Sequence, residues 1–291
     1  MKNLILFILI SLTFTAFAQD ATDTAKVWKV GGIFQLNFSQ ASFHNWATGG
    51  ENNIALTGLF DANANYEREK SLWHNNLKLA YGKIKSGPQV RKSEDLMDLT
   101  SKVGYKKSEK IAYALLLNFK SQFDKGYNYP DDSSVISQFL APAFLTLAAG
   151  VDYSPTEKLS LFISPLTAKW TYVNDIEKID PERYGIDPGE NLRSEFGAYF
   201  RGKFEDEIMK NVNLATSLEL FSNYLENPEN IDINWEVLIG MKVNKYITAS
   251  ISTQLLYDHD ITVPKQKDGV EYLGTGTQFK EVIAIGLAYT F

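Results

Sequence analysis

The stretch Ile283-Ala284-Ile285-Gly286-Leu287-Ala288-Tyr289-Thr290-Phe291 decides the fold. Every second side chain is large and apolar, and those between are small. Strand side chains alternate between two faces. Ile283, Ile285, Leu287, Tyr289 and Phe291 therefore form one continuous greasy face, with Ala284, Gly286, Ala288 and Thr290 behind it.

A final strand with this pattern, ending in aromatic residues, resembles the terminal strand by which bacterial outer-membrane β-barrels are recognised for insertion. The resemblance implies that the barrel-insertion machinery is a partner through the strand ending at Phe291. It also implies an even number of such strands, joined by tight turns at one end and longer loops at the other.

The rest of the chain supplies them. Working back to the start, alternating runs span residues 28–38, 54–67, 73–81, 97–105, 111–124, 136–153, 159–173, 193–205, 212–224, 231–243 and 247–257. The run from Ile111 is a clear case: Ile111, Tyr113, Leu115, Leu117 and Phe119 alternate with Ala112, Ala114, Asn118 and Lys120. Pro165 interrupts the seventh run, and the parity changes there. Proline donates no ladder hydrogen bond, so a bulge is expected at that point. With the terminal strand, the count is twelve. Tight turns follow the even strands and longer polar loops the odd ones, which a soluble β-sandwich has no reason to produce. The expected fold is all-β: an antiparallel, up-and-down transmembrane barrel over residues 28–291 with both termini periplasmic.

Residues 1–18 read as a cleaved secretory signal: Lys2, an apolar run from Leu4 to about Phe14, then Ala16-Phe17-Ala18. The run is shorter than the roughly 20 apolar residues of a membrane-spanning helix. Residues 19–27 form a short polar leader. The chain has no cysteine, which excludes disulfides, thiol catalysis and a cysteine-linked lipid anchor. A formal net charge of −6 disfavours nucleic acid as a partner. The expected surroundings are lipid, in the outer membrane of a Gram-negative cell.

Several motifs carry a second resemblance. Leu36-Asn37-Phe38-Ser39-Gln40 is followed by Asn45-Trp46-Ala47-Thr48-Gly49-Gly50-Glu51-Asn52, then by Ser164-Pro165-Leu166-Thr167-Ala168-Lys169 and by Tyr184-Gly185-Ile186-Asp187-Pro188-Gly189 ahead of Arg193-Ser194-Glu195-Phe196-Gly197. As a set, these are similar to an uncharacterised Bacteroidota family, the domain of unknown function 3078. The resemblance implies an outer-membrane location and brings no catalytic or ligand-binding residues with it.

The inward parity collects charges of both signs. Asp61, Lys120, Asp124, Arg193, Glu195, Arg201, Lys203, Glu219, Glu236 and Lys242 are the expected lumen-lining residues, and Glu67, Lys78, Asp152, Asp232 and Asp258 share their parity. Isolated charges in a dry interior are costly, so these are either hydrated in a pore or paired in a closed core. Asn45, Trp46, Glu51 and Asn52 could form a loop constriction or contact a ligand, because loops tend to carry function. The acidic loop 174–190 lacks calcium-loop spacing, so no metal is expected and a solvated loop is the default reading. No cofactor is expected.

An enzyme is not expected. His44, His74 and His259 lack the serine spacing of a barrel phospholipase, although a serine on a neighbouring strand could still approach His74. The leading functional expectation is passive passage of small polar solutes. The alternatives are a non-conducting barrel that is structural or binds an envelope protein and, third, a lipid-acting hydrolase.

Overall fold

A computed structural model describes residues 27–42, 52–129, 131–267 and 270–291. The expected signal, most of the leader, and Asn45, Trp46 and Glu51 lie outside the described residues.

The architecture is a closed antiparallel barrel of twelve strands. In chain order they are β1 (Trp28–Ala41), β2 (Asn53–Arg68), β3 (Ser71–Ser86), β4 (Gln89–Lys106), β5 (Ile111–Ser121), β6 (Ala143–Thr156), β7 (Leu159–Tyr172), β8 (Leu192–Met209), β9 (Val212–Asn223), β10 (Ile231–Lys242), β11 (Ile247–Tyr257) and β12 (Gln278–Thr290). Each strand pairs with its sequence neighbours, and β12 returns to β1. One end of the barrel carries only tight turns, such as Glu69-Lys70 and Lys210-Asn211, where Glu69 and Asn211 adopt φ values of 50° and 64°. It is called the turn end below, and the opposite end the loop end.

The outer surface follows the predicted parity. Trp28, Val30, Phe34, Leu36 and Phe38 are exposed along β1, Ile111, Tyr113, Leu115 and Leu117 along β5, and Ile283, Ile285, Leu287 and Tyr289 along β12. Aromatic rings gather near the turn end, where Trp28 lies 5.3 Å from Tyr66 and 5.5 Å from Trp73. Others, including Tyr81, Phe123, Phe196 and Tyr224, sit towards the loop end. An apolar wall between two aromatic girdles is the outer face of a barrel solvated by lipid. In water it would far exceed the few hundred Å² of contiguous apolar surface that soluble monomers tolerate.

The bulge expected at Pro165 is present. Val151 pairs with Ile163 and Ala149 with Leu166, so Ser164 and Pro165 together face Gly150. Lumen parity moves from Phe162 and Ser164 before the bulge to Thr167, Lys169 and Thr171 after it. Gly150 is needed here because a Cβ at that position would run into the backbone carbonyl of Ile163.

Two boundary expectations require correction. β3 and β4 extend well past 81 and begin well before 97, meeting through Gly87-Pro88, so the third connection is a long hairpin and not a loop. Gly87, at φ 55°, takes the left-handed conformation that this turn needs. The sixth strand starts at Ala143; residues Val135–Ser137 instead pair with Gly126–Tyr127 in a small sheet of their own. A second small sheet, Thr262–Lys267 with Val270–Thr275, occupies the connection before β12.

Closure depends on the chain's last residues. β1 and β12 pair only from Ile33↔Thr290 to Asn37↔Gly286, and two backbone hydrogen bonds of 3.1 and 3.0 Å between Gly32 and Phe291 extend the ladder by one step. The Phe291 ring stacks on Phe60 at 6.2 Å and covers Gly32, where a Cβ would lie 2.6 Å from the Asp61 carbonyl and 2.7 Å from the ring. Gly32→Val is therefore expected to lower the temperature at which the folded barrel loses its compact gel mobility. Gly240→Ala, which places a methyl where nothing lies within 4 Å, should leave it unchanged. Equal behaviour of the two variants would refute this account of the seam.

Candidate functional site

The lumen is packed on one side and open on the other. Ala114 and Leu116 of β5, Ala148 of β6, Phe162 of β7, Tyr199 of β8 and Phe221 of β9 all point inward and bury one another. None of the described residues of β2, β10, β11 or β12 is buried to that degree. The inward faces of the last three strands carry small side chains or none, among them Gly240, Ser250, Ser252, Ala284 and Ala288. On these strands Leu238, facing inward, is 45% exposed and Val282 is 36% exposed. A crescent of side chains thus fills the barrel from β3 to β9 and leaves a water-accessible crevice along β10–β12.

Charged residues bracket the apolar patch. At mid-height, Glu219 of β9 lies 3.1 Å from Lys120 of β5, four strands away across the lumen, and 3.1 Å from Arg201 Nε on β8. Arg201 Nε lacks an aligned hydrogen bond, so the latter contact is one of charge. Asp98 completes the group, 4.0 Å from Lys120 and accepting a hydrogen bond of 2.6 Å from Asn118 Nδ2. Asn234 donates to Glu219 at 3.4 Å. Lys78 of β3 reaches Glu236 of β10 at 3.9 Å, and Gln254 donates to the same carboxylate at 3.3 Å.

Nearer the loop end, Lys169 Nζ lies among three carboxylates, 2.7 Å from Asp232, 3.4 Å from Glu195 and 3.5 Å from Asp258, and sits 5.0 Å over the Phe221 ring. Arg193 pairs with Asp260 at 2.5 Å and Glu195 at 3.4 Å, and donates to the Gly185 carbonyl at 3.2 Å. Towards the turn end Lys102 pairs with Asp152, which also accepts from Ser160 at 3.0 Å, while Glu67 holds both Lys106 and, at 3.0 Å, His74 Nε2.

Most of the expected lumen residues lie on the inner wall, with different partners. Asp61 is bound by Asn76 at 2.7 Å. Lys242 ends β10 at the turn-end rim, exposed. Lys203 is half-buried on β8. Asp124 is a correction. β5 ends at Ser121, and the Asp95 carboxylate turns the chain by accepting the amides of Phe123 and Asp124. Asp124 then meets the outward-facing Tyr81 hydroxyl at 2.7 Å and Lys83 at 3.5 Å, on the outer rim and not in the lumen. Tyr81 and a backbone amide, more than the Lys83 charge, hold its carboxyl below the usual range. Asn52, the one described member of the expected loop constriction, accepts a hydrogen bond from the Gly87 amide at 3.2 Å.

Lys169, Asp98, Asp260, Glu94 and Lys280 stand outside the expected set. Lys169 was legible in principle, since carrying the parity across the Pro165 bulge turns it inward. Lys280 was legible from β12 parity, but its partner Glu94, at 2.8 Å across the loop-end mouth, was not.

The acidic loop 174–190 is folded, against the default expectation. Val173, Ile179 and Ile186 are buried with Ala141, and Val135 and Tyr184 pack around them. The Tyr184 hydroxyl donates to the Ile136 carbonyl at 2.6 Å, and burial pushes its pKa up to about 12. Asp180 caps the short 3₁₀ turn Pro181–Tyr184, and Asp175 pairs with Lys178 at 2.8 Å. Local hydrogen bonding thus uses two of the loop's carboxylates, and no metal-ligating cluster occurs among the described residues.

Together, the lipid-facing wall and the charged interior define a barrel of the outer-membrane type. Residues 38–127, from the end of β1 to just past β5, match the family model described as a protein of unknown function (DUF3078). Among solved structures, the chain is similar to the COG4313 outer membrane channel from Pseudomonas putida F1, with 10% identity, 93% of this chain and 100% of that one covered, and a TM-score of 0.42. It is also similar to the translocator domain of the autotransporter NalP from Neisseria meningitidis, with 7% identity, 100% and 96% coverage, and a TM-score of 0.37. For the NanC porin the identity is 9%, the coverage 89% and 98%, and the TM-score 0.36. No curated protein matches the sequence.

Removing one partner of a buried ion pair leaves the other charge uncompensated, at a cost of about 3–5 kcal/mol. Glu219→Gln is expected to destabilise the barrel by that order in denaturant unfolding, because Arg201 loses its one carboxylate within 4.0 Å and Lys120 keeps only the more distant Asp98. Glu69→Gln, which breaks a 4.0 Å contact to Arg68 in an exposed turn, should cost less than about 1 kcal/mol. Similar losses for both would contradict a buried lumen network.

Proposed function

We propose that this protein is an outer-membrane barrel that lets small polar solutes pass along a narrow, eccentric lumen. The crevice along β10–β12 is the observation that carries this reading: inward side chains there remain open to water although the opposite wall is packed. A barrel serving only as a structural element would have no need to leave one wall unfilled. Twelve strands fall between the eight that side chains fill and the sixteen or more that enclose a wide channel. The pairs Lys78–Glu236 and Lys280–Glu94 both span the crevice side and would limit its width.

These same two bridges favour the second reading, a barrel that does not conduct and serves as a structural or partner-binding element of the envelope. The two readings separate in a planar bilayer. Refolded protein is expected to give discrete, reproducible current steps, and Lys280→Ala to enlarge them, because the pair at the loop-end mouth is lost. Inserted barrels that pass no current, with or without Lys280, would refute the passage reading.

In this proposal the turn end and both termini face the periplasm, the loops face outward, insertion proceeds through the strand ending at Phe291, and nucleic acid is no partner. Since the chain has no cysteine, a cysteine placed at Glu229 should react with a membrane-impermeant maleimide on intact cells, and one placed at Lys107 should not. The reverse pattern would invert the orientation. No catalytic role is proposed. His74 is tied to Glu67 at the turn end, and esterase activity abolished by His74→Ala would establish the hydrolase reading instead.

A further inference from the structure

Among the described residues, one inward cation below the rim has no carboxylate beside it. Lys78, Lys102, Lys120, Lys169, Arg193, Arg201 and Lys280 each have a carboxylate oxygen within 4.0 Å. Lys203 has none, and its side chain makes no hydrogen bond to any described residue. It is no rim lysine: it faces inward on β8, half-buried, two residues from the buried Arg201. Along its own face of β8 its charged neighbours are the buried Arg201 and the exposed Glu205, two residues to either side. Glu219 is already shared between Lys120 and Arg201, and Glu236, on the next strand beyond Ser217, is engaged by Lys78.

The cross-strand neighbour of Lys203 on β9 is Ser217, whose hydroxyl is buried and has no hydrogen-bond partner. One step further round the wall lies Glu236, and from there towards the turn end the crevice opens: Leu238, two residues on, is exposed to the lumen, and a Cβ added at Gly240, four residues on, would meet nothing within 4 Å. An ammonium withdrawn from bulk water without a counter-charge is unfavourable, and so is an orphaned hydroxyl. A single small oxyanion would satisfy both, since it accepts from the ammonium and from the hydroxyl at once.

We propose that Lys203 and Ser217 form an anion site on the crevice wall, and that the solutes passing through this lumen carry a phosphate or carboxylate group. This rests on the passage reading for its role in transport, though the site can be tested without it. Heat titration of the refolded protein in detergent with inorganic phosphate, and separately with acetate, measures binding directly. Binding is expected to weaken by at least ~10-fold in Lys203→Gln, as loss of a charged hydrogen bond implies. Ser217→Ala should weaken it less, Lys203→Arg should retain it, and Lys242→Gln at the rim should leave it unchanged. Lys203→Gln removes an uncompensated charge, so it is expected to fold, and its gel mobility checks this.

Phosphate binding without acetate binding would assign a phosphate-bearing solute, and the converse a carboxylate. In bilayers, the reversal potential in a salt gradient should shift towards cations in Lys203→Gln. A barrel that binds anions through Lys203 yet passes no current would overturn the passage reading and leave the site intact. A conducting barrel whose anion binding and selectivity are indifferent to Lys203 would overturn the site and leave passage intact.

Discussion

In hydrocarbon no water is present to satisfy a backbone amide or carbonyl, so every one of them must be paired within the protein. A strand sheet meets that demand only by closing on itself. Here the closing ladder is the shortest in the barrel, from Gly32 and Phe291 up to Asn37 and Gly286, while β1 and β12 each continue beyond it without pairing to one another. The pattern of large and small residues in the last nine positions follows from this. The large face meets lipid, and the small face, above all Gly286, lets β1 approach; a Cβ there would run into the Leu36 carbonyl and the Asn37 side chain.

Closure also explains why the interior can be charged. Carboxylates and ammonium groups on strands four apart in the sheet come within 3.1 Å because the wall is curved, as with Lys120 and Glu219. Such pairs add little net stability, since desolvation cancels much of their attraction, but they punish any arrangement that leaves one member alone. The network therefore fixes which strands face each other across the lumen. The apolar patch of Leu116, Phe162, Tyr199 and Phe221 lies between two of its levels and fills one side, leaving the open space off-centre.

The loops add a second, smaller core. Ala141, Val173, Ile179 and Ile186 bury one another at the loop end, and Arg193 ties the loop between β7 and β8, through the Gly185 carbonyl, to Asp260 on the connection before β12. The cap thus rises from the filled half and is tied to the connection that leads into β12.

Strand parity, the turn positions, the strand number and the bulge at Pro165 were legible in the sequence, because each follows from a period of two residues or from the chemistry of one residue. The inward placement of Arg193, Glu195, Arg201, Glu219 and Glu236 followed from the same period. What parity does not contain is register around a closed wall. That Glu219 meets Lys120, that Lys280 meets Glu94, and that Lys203 meets no carboxylate, depend on the tilt and stagger adopted when twelve strands close. Asp124 was misplaced for a related reason: strand alternation applies only while the ladder continues, and the Asp95 carboxylate ends it at Ser121. Local alternation determined the two faces of the wall, and long-range closure decided which charges share the space inside.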